Sequence, residues 1–109
     1  MDYTKELNVA ITVCDAEGNI LEMNEKSQQV NGGNLIGKNV LDCHPGAARS
    51  KLAELMEHQK SNTYTIEKNG IKKLIYQTPW YTDGIYSGFV EFSLEIPFDM
   101  PHYIRQPKP

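Results

Sequence analysis

The amino-acid sequence predicts an α+β domain in which a five-stranded antiparallel sheet carries helices on one face. Three observations support this fold class. Five segments are predicted to be strands, and three of them, residues 8–14, 62–68 and 85–96, alternate side chains in the way that is typical of half-buried strands. One longer segment, residues 46–60, has apolar residues at the three- and four-residue spacing of a helix. Asn69-Gly70 supplies the strongest short hairpin signal, because both positions of a tight hairpin turn need a positive φ.

The first half of the chain predicts a hairpin followed by a short helix. Residues 8–14 and 20–23 are the two strands, and residues 15–19 (DAEGN) carry the turn chemistry between them. Asn24 is a suitable N-cap for a helix over residues 25–30, since its side chain accepts hydrogen bonds from free backbone donors. Residues 31–34 (NGGN) end that helix.

The second half predicts one longer helix and three strands. After a connector over residues 35–41, Pro45 suits the first turn of the helix at 46–60. The strands are expected at residues 62–68, 71–81 and 85–96, and Pro79 marks an edge or a bulge. Residues 1–97 are therefore predicted to form one domain, and residues 98–109 a proline-rich tail.

Composition excludes several classes of function. The chain has 109 residues, which fits one domain, and its formal net charge of -3 without any basic run argues against binding nucleic acid. No apolar stretch is long enough to span a membrane, and the N-terminus lacks the pattern of a signal peptide. Cys14 and Cys43 are too few for a secreted disulfide scaffold, so we expect two thiols in a cytoplasmic protein.

The order of elements and several local motifs resemble those of PAS domains. The motifs are residues 15–24 (DAEGNILEMN), residues 35–39 (LIGKN), and Thr78-Pro79, Asp83-Gly84 and Gly88 in the closing hairpin. A narrower likeness is to bacterial PAS domains that occur with hemerythrin-like segments, through the Cys-His-Pro stretch at residues 43–45. Downstream the chain departs from the family, because Glu95-Ile96-Pro97 replaces the usual Asp-Ile-Thr motif.

This resemblance implies a sensory or signalling module that binds a small molecule or a protein partner and has no catalytic activity. The cofactor stays unassigned. The flavin photoreceptor type is disfavoured, because Val40 follows Asn39 where that type has its reactive cysteine. The haem type places a histidine where this chain has Leu52, although a haem- or metal-binding redox or gas sensor using His44 or Cys43 remains an alternative.

A small α+β hydrolase or isomerase is the third possibility, and it requires a carboxylate–histidine pair in the pocket. Asp42, Cys43 and His44 are consecutive, which is not the arrangement of a catalytic triad. No catalytic residue is therefore predicted. No metal site is predicted either, because the spacing of four zinc ligands is absent.

The sequence leaves open which sheet face lies under the helices. Hydrophobicity alone favours the face that carries Val9, Ile11, Val13 and their counterparts on the later strands. The family resemblance instead turns Cys14 and Gln77 inward, and we follow it. The candidate ligand-binding residues are then Cys14, Cys43, His44, Leu52, Met56, Ile75, Gln77, Glu91 and Ser93, with Thr12 beside them.

This choice leaves an apolar face outside, which implies a partner. A symmetric homodimer is the simplest cover, and a separate signalling protein is a further possible partner. The candidate interface residues are Val9, Ile11, Leu74, Tyr76, Trp80, Val90, Phe92 and Leu94. Glu91 is the most specific pocket candidate, because an enclosed carboxylate must be paired, hydrogen-bonded or protonated, and a donor-rich ligand or His44 would serve.

Overall fold

The computed structural model describes residues 2–108, so the two chain ends of the predicted domain and tail, Met1 and Pro109, lie outside the described residues. It confirms the α+β fold. The elements are β1 (Ala10–Asp15), β2 (Ile20–Met23), α1 (Glu25–Val30), a 3-10 turn (Val40–Cys43), α2 (Gly46–His58), β3 (Asn62–Lys68), β4 (Ile71–Thr82) and β5 (Ile85–Ile96). Between Ile96 and residue 108 there is neither helix nor strand.

The bounds of three elements differ from the predicted ones, and for β4 the difference is one added residue, Thr82. β1 begins at Ala10 and continues through Asp15, two residues later than expected at its start. The helix predicted to reach residue 60 ends at His58, because Gln59 adopts a left-handed conformation with a φ of 53°. The backbone amide of Lys60 then donates to the carbonyl of Leu55, which closes the helix. No helix within residues 2–108 has both the length and the apolar character needed to cross a bilayer.

The five strands form one antiparallel sheet in the order β2-β1-β5-β4-β3, with β5 at its centre. β5 pairs with all six residues of β1 through its residues 88–93, and with β4 between Ile85 and Ile96 with one irregularity at Trp80 and Tyr81. Glu91 lies opposite Thr12 on one side and opposite Gln77 on the other. Gln77 in turn lies opposite Asn62 of β3. These four residues form one row across the sheet.

The helices and the connector cover the sheet face that carries Cys14, Gln77 and Phe89. The buried hydrophobic cluster lies there and comprises Cys14, Ile20, Met23, Val40, Leu52, Leu55, Met56 and Phe89. The expectation from hydrophobicity alone is therefore wrong. The covered face tolerates polar residues because they hydrogen-bond to one another, while the stacked rings of Tyr76 and Phe92, 6.4 Å apart, lie on the opposite face.

Asn24 joins the N-terminal segment to the sheet and to α1. Its side-chain oxygen accepts from the amides of Ile11 (2.9 Å) and Ser27 (3.1 Å), which confirms it as the N-cap. Its side-chain amide donates to the carbonyls of Thr4 (2.8 Å) and Val9 (2.7 Å). Asn24 is buried, and all four bonds therefore form away from water, where leaving one unmade is costly.

Trp80 and Gly88 form a close cross-strand contact on the outer face. The Trp80 indole Nε1 donates to the Cys14 carbonyl at 2.9 Å, passing over Gly88, which lies opposite Trp80 in the register. A Cβ on Gly88 would lie 1.9 Å from the Cys14 carbonyl oxygen and 2.7 Å from the indole nitrogen. Gly88 also has a φ of 152°. Glycine is therefore required here for both space and backbone conformation.

Replacing Gly88 by alanine should lower the free energy of unfolding by about 2–4 kcal/mol, because the new methyl group pushes β1 and Trp80 away from β5. Denaturant unfolding measures this change. Gly84→Ala is the matched control, since Gly84 also has a positive φ but has open space around it, and about 1 kcal/mol is expected there. Equal losses in the two variants would contradict the close contact.

Candidate functional site

A cavity of about 70 Å³ lies between the sheet and the helical layer. Its walls come from β1, β2, β4, β5, α2 and the connector. The lining residues are Thr12, Cys14, Ile20, Met23, Asn31, Leu35, Val40, Cys43, His44, Leu52, Gln77, Phe89, Val90 and Glu91. The structure thus brings together Cys14, Cys43, His44, Leu52, Gln77 and Glu91 from the predicted ligand-binding set.

The other three predicted residues lie nearby but not in this wall. Met56 is part of the buried core, where α2 packs on the sheet. Ile75 and Ser93 line a neighbouring groove of about 400 Å³ on the same sheet face. Thr12, Asn31 and Glu91 border both the cavity and the groove, so they form the mouth through which the two spaces adjoin.

Several lining residues were missed by the sequence reasoning. Phe89 has the same strand parity as Glu91, so the alternation of β5 already indicated that it faces the cavity. Ile20 and Met23 lie on a short strand whose pairing with β1 contains a bulge, which hides their orientation from a simple alternation. Val40 is brought inward by the 3-10 turn, for which the sequence carried no clear signal.

A chain of hydrogen bonds runs along the row of residues that crosses the sheet. The Asn62 side-chain amide donates to Gln77 Oε1 at 3.2 Å, and Gln77 Nε2 donates to Glu91 Oε2 at 3.3 Å. Gln77 is only 5% exposed, so both ends of its amide are satisfied inside the protein. Glu91 is half-buried, and Gln77 is the one hydrogen-bond partner that its carboxylate has within residues 2–108.

Ser27 organises the other side of the mouth. Its buried hydroxyl is hydrogen-bonded to the Thr12 hydroxyl. Asn31 Nδ2 donates both to the Ser27 carbonyl (2.8 Å) and to the Ser27 hydroxyl (3.3 Å). Because a carbonyl only accepts, the atom of Asn31 that faces Ser27 must be its nitrogen, and no donor within residues 2–108 bonds to its Oδ1.

Cys43 and His44 reach the cavity from the end of the 3-10 turn. His44 Nδ1 lies 2.6 Å from the Val40 carbonyl, so Nδ1 carries the proton and donates it. Glu91 bonds to Gln77 and not to His44, which corrects the expected alternative partner. The exposed Asp42 pairs with Arg49 at 3.4 Å, so residues 42–44 do not form a triad.

A metal site and a carboxylate–histidine pair each need particular side chains to lie close together. In the part of the chain that the structure describes, no three His, Cys, Asp or Glu side chains cluster closely enough to hold a metal ion. The hydrogen bonds of His44 and Glu91 go to Val40 and Gln77, so these two side chains are not bonded to each other.

No protein-family profile and no curated protein matches the chain. Its three-dimensional structure does match solved structures. The PAS domain of BvgS from Bordetella pertussis has a TM-score of 0.68 and 17% identity, and the match covers 88% of this chain and 82% of that one. This chain has the PAS fold.

Two further PAS-fold structures are similar to the chain. A sensory box sensor histidine kinase from Vibrio cholerae has a TM-score of 0.67 and 15% identity, with 86% of each chain covered. The Aer2 receptor from Vibrio cholerae, described as a dual PAS-haem oxygen sensor, has a TM-score of 0.58 and 17% identity. That match covers 82% of this chain and 95% of the receptor structure. At these identities the likeness is one of fold.

The PAS cavity of this chain does not fit a large cofactor. Its volume of about 70 Å³ is well below the roughly 300 Å³ at which pockets for drug-sized ligands begin, so the cavity by itself is too small to enclose a haem or flavin ring system. Leu52 lines the cavity from α2 and adds an apolar wall there. The cavity is thus suited to a molecule of a few heavy atoms.

The two cysteines of the PAS cavity should differ in reactivity. Burial raises the pKa of the Cys14 thiol, and the nearby Asp15 charge adds to this effect, so less thiolate is present at neutral pH. Cys43 is exposed. We expect iodoacetamide to modify Cys43 at least about tenfold faster than Cys14 near neutral pH, as followed by peptide mass mapping.

The difference in modification rate between Cys14 and Cys43 should disappear in denaturant, which serves as the control. It should also narrow as the pH is raised, because the thiolate fraction of Cys14 then increases. Native protein that is modified equally fast at both positions would contradict the buried position of Cys14.

Proposed function

We propose that this chain is a cytoplasmic sensory module that binds a small molecule in its cavity and passes the signal to a protein partner without catalysis of its own. The observation that carries this proposal is the cavity between the sheet and the helices, with a polar row at its mouth built from Gln77, Glu91 and Thr12. Burying polar side chains costs stability. Recognition of a ligand is the function that the geometry of this polar row favours.

The structures of similar fold also support a sensory function. One belongs to a sensor histidine kinase, and another to a receptor described as an oxygen sensor. We further propose that the chain belongs with the bacterial PAS domains that carry a Cys-His-Pro stretch. The position of Cys43 and His44 at the cavity supports this narrower assignment, since both side chains are placed where a ligand would touch them.

We propose that the partner is a second copy of this chain, held through the outer sheet face. Ile11, Phe92 and Tyr76 lie side by side in one row of that face, and Leu94 lies opposite Leu74 in the next. The predicted interface residues Val9, Ile11, Leu74, Trp80, Val90, Phe92 and Leu94 are only half-buried, and Tyr76 is 37% exposed. A two-fold axis would cover this self-complementary surface with itself.

Such a dimer would place the ligand and the partner on opposite faces of the same strands. Glu91 lines the cavity, and the next residue, Phe92, faces the proposed interface. A ligand that shifts β5 would therefore change the interface directly. A separate signalling protein that uses the same face is the alternative recipient of the signal.

A ligand retained by the protein should add mass to the chain in native mass spectrometry of freshly purified protein. Leu52→Trp should abolish the added mass, because the indole fills a cavity of this size, whereas the volume-conserving Leu52→Met should keep it. Native protein without any added mass, or equal retention in both variants, would count against ligand binding in the cavity.

The oligomeric state should respond to a charge on the outer face. Analytical ultracentrifugation should find about twice the chain mass of 12.4 kDa for the native protein and a single chain for Phe92→Glu, because burying a carboxylate in an apolar interface is costly. Phe98→Glu makes the same change on the exposed tail and should leave the dimer intact. A monomeric native protein would rule the dimer out.

A further inference from the structure

We infer that the ligand is a small organic cation, an ammonium group on a short apolar chain, whose nitrogen binds between Glu91 and Asn31 at the mouth of the cavity. This inference rests on the proposed function and names the ligand class for that same cavity. Three features of the site support this inference: the hydrogen-bonding groups at the mouth, the charge of the mouth, and the volume of the cavity behind it.

Two free hydrogen-bonding groups at the mouth are acceptors. Gln77 Nε2 donates to Glu91 Oε2, and no donor among residues 2–108 bonds to the second carboxylate oxygen. Both hydrogen bonds of Asn31 Nδ2 go to Ser27, so its Oδ1 remains as an acceptor. A ligand that completes these groups must therefore bring N–H or O–H donors, and an ammonium group brings three.

The charge at the mouth favours a cation. Glu91 is half-buried, and within the described part of the chain no lysine, arginine or histidine forms an ion pair with it. Lys68 and Lys73 also line the groove. Lys68 lies opposite Ile71, at the end of β3 away from Asn62, and Lys73 lies opposite Glu95 in the register. Glu95 lies four positions from Glu91 along β5, which is about 13 Å along the strand. An anionic ligand would therefore meet an uncompensated carboxylate at the mouth.

The space behind the mouth sets the size of the apolar part. Ile20, Leu35, Leu52 and Phe89 wall the cavity, and its volume of about 70 Å³ is under half of the roughly 150 Å³ that holds benzene in an engineered apolar cavity. A straight chain of about four carbons fits such a space, with its charged end at Glu91.

The test uses n-butylammonium chloride as the probe, with 1-butanol and sodium butyrate as its neutral and anionic counterparts. Chemical-shift changes of the Gln77 side-chain amide and of Phe89 report binding to the native protein and to two variants. Glu91→Gln removes the charge at the mouth. Glu95→Gln is the matched control, because it makes the same change on the same strand, four residues away.

We expect butylammonium to bind native protein at least tenfold more tightly than 1-butanol, and butyrate to bind more weakly than either. Glu91→Gln should weaken butylammonium binding by about tenfold, close to 1.4 kcal/mol, and leave 1-butanol unchanged. Glu95→Gln should change neither probe by more than about twofold, since an exposed charge at that distance is screened.

Two results would overturn the inference, and they differ in what else they affect. If butylammonium and 1-butanol bind alike, or if Glu91→Gln changes neither, the cavity binds small molecules but the ligand is not a cation. If no probe shifts Gln77 or Phe89 and no mass is retained in native spectra, both the ligand class and the proposed sensing function fail.

Discussion

The pairing of β5 with its two neighbours is the constraint on which the rest of this structure depends. Because side chains alternate between faces along a strand, a shift of one residue in either pairing would exchange the two faces of the sheet. The observed register places Glu91 between Thr12 and Gln77, inside the protein. It also stacks Phe92 on Tyr76 on the other side. The polar cavity wall and the apolar outer face are therefore two consequences of one pairing.

Two other contacts hold this pairing in place. Trp80 reaches across Gly88 to the Cys14 carbonyl, which links β4 to β1 over the central strand. Asn24 links β1, α1 and the N-terminal segment through four hydrogen bonds. Trp80, Gly88 and Asn24 are not among the residues that line the cavity. Both contacts hold together the strands and the helix on which the cavity is built.

The inner face of the sheet departs from what stability alone would select. A sheet covered by helices usually turns its apolar residues inward, yet here Gln77 and Glu91 face in and Phe92 faces out. The hydrogen bond between Gln77 and Glu91 offsets part of the cost of burying them. Departures of this kind concentrate at functional sites, where stability is given up for recognition.

Local chemistry was enough to predict the elements, because turn residues such as Asn69-Gly70 and the cap at Asn24 act within a few positions of the chain. The end of α2 was beyond such reasoning, since nothing in Gln59 itself demands a left-handed conformation. The choice of sheet face was also beyond it. Both faces alternate equally well along β5, and the deciding hydrogen bonds join residues that are 14 or 15 positions apart. The resemblance to PAS domains predicted which face turns inward, whereas the alternation of residues along the strands did not.

A high-resolution crystal structure of protein purified without refolding tests most directly whether the cavity binds a molecule at Glu91. The account predicts a small non-protein molecule or ordered water in the cavity, in contact with Glu91 and Asn31, with Gln77 bonded to Glu91 as described. A structure in which Glu91 turns out to solvent and neighbouring side chains fill the space would contradict it.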